Sequence, residues 1–199
     1  VLYRGVYISP PFPRKYVKPL KIVYAGNLLY GRWQTLSLIS NAIEEVSSVK
    51  NEFELSIYTG TPLSKEMDIS LNTYNSTVLG AVSFNEIKKI VRNADIVLHV
   101  EAFDKKNIEK TKYSFSTKIT DCIQSGNCIM GIGPTELASI NFLKESQGVI
   151  IANNYADIIS QLRKISLDNK IMNDYRIKMY DYSKDLFNLN LIRESIRKD

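Results

Sequence analysis

Apolar positions along this chain follow two alternating rhythms. Short unbroken runs come first in each unit: LKIVYA at 20–25, FELSIY at 53–58, STVLGAV at 76–82, ADIVLHV at 94–100, CIMGI at 128–132 and GVIIA at 148–152. Each is rich in β-branched or aromatic residues, and most sit beside glycine or polar residues, which reads as a strand buried on both faces. Between them the apolar residues recur at helical spacing. Leu36, Ile39, Ile43 and Val46 mark a helix over 33–49. Phe84, Ile87, Ile90 and Val91 mark a short one ending at Asn93. Leu137, Ile140 and Phe142-Leu143 mark a third, and Ile158, Ile159, Leu162 and Ile165 a fourth. The segment 168–198 is charged and helical by period, with Ile171, Tyr175 and Met179 on one face. The polar segment 61–75 reads as a connector with room for one helical turn. The lysine-rich segment 102–112 reads as a mobile surface loop beside the sheet edge. Strands alternating with helices predict an α/β domain with a doubly wound, parallel, six-stranded, Rossmann-like sheet over 20–199.

The stretch from Tyr113 to Gly133 is the most informative single piece. Ser114, Ser116 and Thr117 can cap a helix, because a hydroxyl there accepts from backbone N–H groups the helix leaves unpaired. Ile119, Cys122 and Ile123 form its apolar face, and Gly126 supplies the positive φ that ends it. Thr117 and Asp121 lie about one turn apart. Hydroxyls and N–H groups at a helix start, with a carboxylate one turn inside, suit a phosphorylated sugar ligand.

Composition narrows the class. With 199 residues, 44% hydrophobic and 24% charged, the chain has enough apolar material for one large domain or two small ones. A net charge of +5 suits an anionic partner without choosing among them. The lysines are scattered and no groove-reading helix or base-stacking motif is present, so nucleic acid is not the expected partner. His99 is the only histidine, which excludes a histidine-rich zinc site. Cys122 and Cys128 sit in apolar settings and read as reduced core residues. No apolar run reaches transmembrane length. Residues 1–19 carry Pro10, Pro11, Pro13 and Pro19, which defeats helix; they read as an interdomain linker, with the preceding part of the protein absent.

Candidate chemistry gathers at the carboxyl ends of the predicted strands, where open α/β sheets bind ligands. Gly26 and Asn27 follow the first strand, and Arg32 stands at the entry of the next helix, placed to meet phosphate. Glu101 follows the fourth strand and is a candidate for a sugar hydroxyl. His99, near the end of that strand, reads as a packed core histidine.

The run SFSTKITDCIQSGNCIMGIGPTE resembles the nucleotide-sugar-binding half of GT-B glycosyltransferases of the group 1 type. Many members carry E-G-F-G-x-x-x-x-E-A-x-A-x-G-x-P-V. Tyr113, Ser114, Phe115 and Ser116 fall on E-G-F-G, Asp121 on the second glutamate, Gly126 on the glycine and Cys128-Ile129 on P-V. YAGNLLYGR resembles the family's strand-G-R-x-x-x-x-K loop, with Asn27 on the arginine and Arg32 on the lysine. STVLGAVSFNEI resembles the segment ending in G-x-V before a short helix. VLYRGVYISPPF resembles the linker joining the two halves. Ser116, Lys118 and Asp121 form an S-x-K-x-x-D pattern similar to a subgroup of bacterial polysaccharide and capsule glycosyltransferases. Tyr113 departs from the family, since a glutamate is expected there.

The resemblance implies transfer of a sugar from a nucleotide diphosphate sugar to a saccharide or lipid-linked acceptor, with retention. It implies no cofactor and no metal, with the acceptor site on an amino-terminal half outside this chain. Arg32 and Lys118 would stabilise the leaving diphosphate as catalytic residues. Gly26, Asn27, Ser116 and Thr117 would complete its cradle, Asp121 would hold the ribose, Glu101 would contact the donor sugar, and Val82 would border the base. It further implies a cytoplasmic protein, with peripheral association at the inner face of the membrane. Two other readings stand beside it: a GT-B nucleotide-sugar 2-epimerase, and a non-enzymatic α/β nucleotide-binding module. A receiver-type module needs clustered acids after its first strand, and KIVYAGN has none.

Overall fold

A computed structural model describes residues 5–190 and 192. Its six strands are β1 (Leu20–Ala25), β2 (Phe53–Tyr58), β3 (Ser76–Gly80), β4 (Ile96–Val100), β5 (Cys128–Ile132) and β6 (Val149–Ala152). The helices are α1 (Arg32–Ser47), α2 (Lys65–Leu71), α3 (Phe84–Asn93), α4 (Lys105–Thr111), α5 (Lys118–Ser125), α6 (Ala138–Glu145), α7 (Tyr155–Leu167) and α8 (Ile171–Leu186). All strand pairs are parallel and the order is β3-β2-β1-β4-β5-β6. The direction of winding reverses between β1 and β4, which defines the topological switch point.

The central strands β4 and β5 alternate their side chains between two covered faces, whereas the edge strand β3 leaves Thr77 and Leu79 exposed on its outer face and is not buried on both sides. Ile22, Tyr24, Ile96, Leu98, Met130 and Ile150 belong to a core closed by α1 and α7. Val23, Val97, Ile129 and Val149 belong to a second core closed by α5, α6 and α8. A parallel sheet needs cover on both sides, and this alternation supplies apolar contact to each. Phe142 of α6 stands edge-on to Phe115, Tyr182 and Phe187, with ring centroids 5.1, 5.7 and 5.9 Å away. That aromatic group ties the approach to α5 onto α6 and α8.

Residues 5–19 contain no regular element and are pinned along the domain. Val6 is buried and its N–H donates to Phe187 O at 2.9 Å. Arg14 donates to Ala94 O and Arg92 O, both at 2.8 Å. Arg176 of α8, itself buried, donates to Phe12 O at 2.9 Å and to Gly126 O at 2.7 Å. One guanidinium therefore joins this segment to the end of α5.

Several expectations shift. The third strand stops at Gly80, two residues short of Val82, because Gly80 takes a φ of +71°. The segment 102–112 is not a loop throughout. It holds α4, whose start is capped by the Asp104 carboxylate accepting from Asn107 N–H at 3.0 Å. The last helix, described as Ile171–Leu186, buries Met172, Arg176, Met179 and Ser183; Ile171 and Tyr175 are only partly covered. Residues 1–4 of the linker region, and 191 and 193–199 of the segment read as helical, lie outside the described residues. Helix α5 does end at Gly126 with φ +69°, but no hydroxyl caps its start: Thr117 holds the capping position without a side-chain bond.

Candidate functional site

A cleft of about 320 Å³ opens at the switch point. The carboxyl end of β1 and the approach to α1 form one wall, and α5 forms the other. Gly26, Arg32, Val82, Ser116, Lys118 and Asp121 all border it. Asn27 and Glu101 are not among its lining residues; they hold Arg32. Thr117 is exposed and lies outside the lining.

Arg32 is the centre of this arrangement. Gly31, at φ +74°, turns the chain into α1 and lets its first residue point back at the sheet edge. Its Nε donates to Val100 O at 3.2 Å and its Nη1 to Asn27 Oδ1 at 3.0 Å. Its Nη2 reaches both oxygens of Glu101, at 3.0 and 3.3 Å. The two side chains are only 13% and 4% exposed. A guanidinium carries five N–H donors, so these contacts fix its plane and leave donor capacity unspent.

Glu101 is therefore neither a solvated loop acid nor an outward carboxylate. Burial pushes it above the ordinary carboxylate range, while Arg32, Lys118 and the Ser139 hydroxyl pull the other way. Its backbone is locked as well: the N–H donates to Ile132 O at 2.9 Å and its carbonyl accepts from Thr35 Oγ1 at 2.9 Å. Beside it His99 is buried and also borders the cleft. Burial first, then the charges of Arg32 and Lys118, push its pKa down to about 3, so the ring is neutral. Its Nε2 lies 3.5 Å from Glu101 Oε1 and has no hydrogen-bond partner among the described residues.

Lys118 comes from the first residue of α5. Its amine lies 5.9 Å from the Tyr24 ring centroid, on the cleft side. Burial lowers its pKa, with the Arg32 charge second and Glu101 opposing. Glycine at position 26 leaves room for the Lys118 amine and the Tyr24 hydroxyl, which a Cβ would displace. That hydroxyl is spent on Asn27 O at 2.6 Å, which stiffens the loop. Two cations thus converge on a small, partly apolar opening at the edge where strand and helix ends direct their dipoles. Among the described residues no group of three or more His, Cys, Asp or Glu side chains could hold a metal ion.

The cleft extends further than the motifs suggested. Tyr58, Thr59 and Gly60 at the end of β2 border it, as do Ile87, Val91 and Arg92 on α3. Helix α3 starts with a reciprocal capping box between Ser83 and Glu86, yet buries none of its residues. Its apolar side faces the cleft and stays partly open. The S-x-x-E spacing at 83–86 is the sequence mark of that start, which a reading by apolar periodicity alone passed over.

No protein-family model matches the sequence, and no curated protein matches it at the sequence level. Solved structures do match in shape. WaaG, a glycosyltransferase involved in lipopolysaccharide biosynthesis, aligns over 98% of this chain and 54% of its own, with TM-score 0.64 and 11% identity. Anabaena HepE in complex with UDP and glucose aligns over 90% and 47%, at 0.68 and 10%. The C-terminal domain of LpcC, a glycosyl transferase group 1 family protein of Francisella tularensis, aligns over 95% and 97%, at 0.65 and 15%. The fold is that of one half of a GT-B glycosyltransferase. The chain spans about half the length of WaaG and HepE, and nearly all of the LpcC domain.

Proposed function

We propose that this chain is the donor-binding half of a retaining glycosyltransferase, which moves a sugar from a nucleotide diphosphate sugar to a saccharide or lipid-linked acceptor. The observation that carries the reading is the fixed Arg32 guanidinium, facing Lys118 across the switch-point cleft. A departing diphosphate gathers negative charge, and oriented cations at that spot stabilise it without reorganising. Arg32 and Lys118 take that role without a metal. Ser116 and backbone groups at Gly26 and at the start of α5 complete the cradle, Asp121 accepts from the ribose, and the base lies toward Val82. Lipopolysaccharide synthesis by WaaG and the UDP and glucose bound to HepE support a surface-polysaccharide role and a nucleotide-sugar donor. The acceptor would be met by a further domain, working at the inner face of the membrane; no described helix is long and apolar enough to cross one.

Calorimetry with UDP and GDP tests the reading. The chain should bind one of them weakly and transfer no sugar alone. Arg32→Ala removes a partly desolvated charged contact, so affinity should fall by about 30-fold, corresponding to roughly 2 kcal/mol. Asp121→Ala should weaken binding of UDP but not of inorganic pyrophosphate. Unchanged nucleotide affinity in both variants would remove the donor site from this cleft.

A further inference from the structure

His99 is buried against the anion site, and its Nε2 is not spent on any hydrogen bond of the fold. Its Nε2 is aimed at Glu101 Oε1 from 3.5 Å and has no partner among the described residues. A buried polar atom left unpaired is costly, so its retention beside a ligand cleft calls for a reason. Glu101 in turn touches Arg32 through both oxygens. Three side chains from two elements therefore form one line: ring, carboxylate, guanidinium.

We propose that His99 is a positioning residue, which braces Glu101 so that Arg32 presents its free N–H groups to the diphosphate. The inference rests on the donor-site reading for the identity of the anion, but the brace itself does not need it. A neutral imidazole has one donor nitrogen and one acceptor. An ionised carboxylate only accepts, so the proton belongs on Nε2 and the lone pair on Nδ1. Closing the gap by a few tenths of an ångström turns the contact into a charge-assisted hydrogen bond. Without that donor the buried carboxylate is harder to keep ionised, and Arg32 loses its anchor as the carboxylate takes a proton. The charged groups that bear on this pair are Arg32 from α1 and Lys118 from α5. Tyr24 on β1 is held protonated by its own burial, and α6 contributes the uncharged Ser139.

Because His99 is the only histidine, its ring nitrogens can be read without ambiguity by long-range ¹H–¹⁵N NMR. The expected result is a single neutral Nε2–H tautomer between pH 5 and 8, with its proton moving upfield in Glu101→Gln. An Nδ1–H tautomer in the unsubstituted chain overturns the proposal, as does a ring spectrum indifferent to Glu101→Gln. The second arm measures pyrophosphate and UDP affinity at pH 5.5 and 7.5. His99→Leu should weaken both by about tenfold, the worth of one hydrogen bond to a charged group, and more at pH 5.5. His99→Gln, which keeps a donor, should restore most of the affinity and flatten the pH dependence. A His99→Leu variant that binds as tightly as the unsubstituted chain at both pH values refutes the brace. So does a loss equal at both that Gln does not repair, which is the mark of a merely structural residue. If the unsubstituted chain binds neither anion, the donor reading fails while the NMR arm still decides the role of His99.

Discussion

Removing Glu101 tests whether Arg32 is held by a charge partner or simply packed. Replacing it by leucine leaves the guanidinium with Val100 O and Asn27 Oδ1 but with no counter-ion in a site where its side chain is 13% exposed. Breaking one side of a buried pair typically costs about 3–5 kcal/mol, because the other charge stays behind uncompensated. Arg32 borders the cleft and water can reach it, so the low end applies: about 3 kcal/mol, or a fall in Tm of roughly 6–12 °C for a domain of this size. Arg32→Met leaves Glu101 alone instead. That carboxyl is already pushed upward by burial, so it can escape by taking a proton, and the cost should shrink as pH falls. The double variant, Arg32→Met with Glu101→Leu, replaces the pair by apolar volume. It should return to within about 1 kcal/mol of the unsubstituted chain, since desolvation offsets most of what such a pair gains. Urea denaturation of all four proteins at pH 7 and pH 5 closes the cycle. A coupling energy below about 0.5 kcal/mol would show that the two charges are independent and solvated, and the account of Arg32 as a pre-set cation would fall with it.

Other outcomes follow from single contacts. With a folded-state pKa of about 3 against an ordinary 6.5, His99 takes up a proton in the unfolded chain but not in the folded one as pH drops below 6.5. Its contribution should therefore weaken stability by about 2–3 kcal/mol on going from pH 7 to 4.5, while Glu101, shifted upward, works in the opposite sense. The urea stability of the unsubstituted chain minus that of His99→Gln isolates the histidine; it should rise by about 2–3 kcal/mol from pH 4.5 to 7, and a difference that stays flat or falls over that range would contradict it. Gly148→Ala should destabilise the fold strongly, because the added Cβ meets the Met179 backbone and must push α8 off the sheet; thermal unfolding reads this directly. Gly26→Ala should lower nucleotide affinity more than stability, since its Cβ displaces the Lys118 amine and Tyr24 hydroxyl at the cleft rather than core packing; calorimetry beside a melting curve separates the two.

How much of this was legible in the residues follows from what each feature depends on. The six strands were readable because each is an apolar run, and the alternation inside it matters only once both faces are covered. Strand β3 was read too long because Ala81 and Val82 continue the apolar pattern, while the positive φ at Gly80 that ends the ladder is a backbone event. Helix α4 was missed because its start is written in an Asp104–Asn107 cap and not in apolar periodicity, which its lysines mask. That Gly26 and Arg32 border one cleft was readable from strand-end placement, whereas Ser116, Lys118 and Asp121 were placed there by the helix start and the family resemblance. The Arg32–Glu101 pair was not: the residues are 69 positions apart, and they meet because β4 lies directly beside β1. The β2 edge at Tyr58–Gly60 and the open face of α3 were hidden for the same reason, since sheet order decides which strand ends are neighbours.

The pairing bears on how the proposed site would attract an anion. Arg32 together with Glu101 is close to neutral, so the pair adds direction more than charge. It fixes a planar donor set before any ligand arrives, and fixed donors cost no reorganisation when charge develops. The net positive potential must then come from Lys118 and from the backbone at the start of α5 and after β1. Burial and the Arg32 charge both lower the Lys118 pKa, which means its charged form is held at some expense. On the donor-site reading, a diphosphate would shift that balance by adding negative charge to what Glu101 and Asp121 already supply. A site with two free cations would bind phosphate more tightly but keep it after transfer. Under the proposed donor-site reading, a neutralised arginine that orients, beside a lysine that attracts, would favour the charge that appears on the leaving group over the smaller charge of the intact donor, and differential binding of that kind accelerates a reaction.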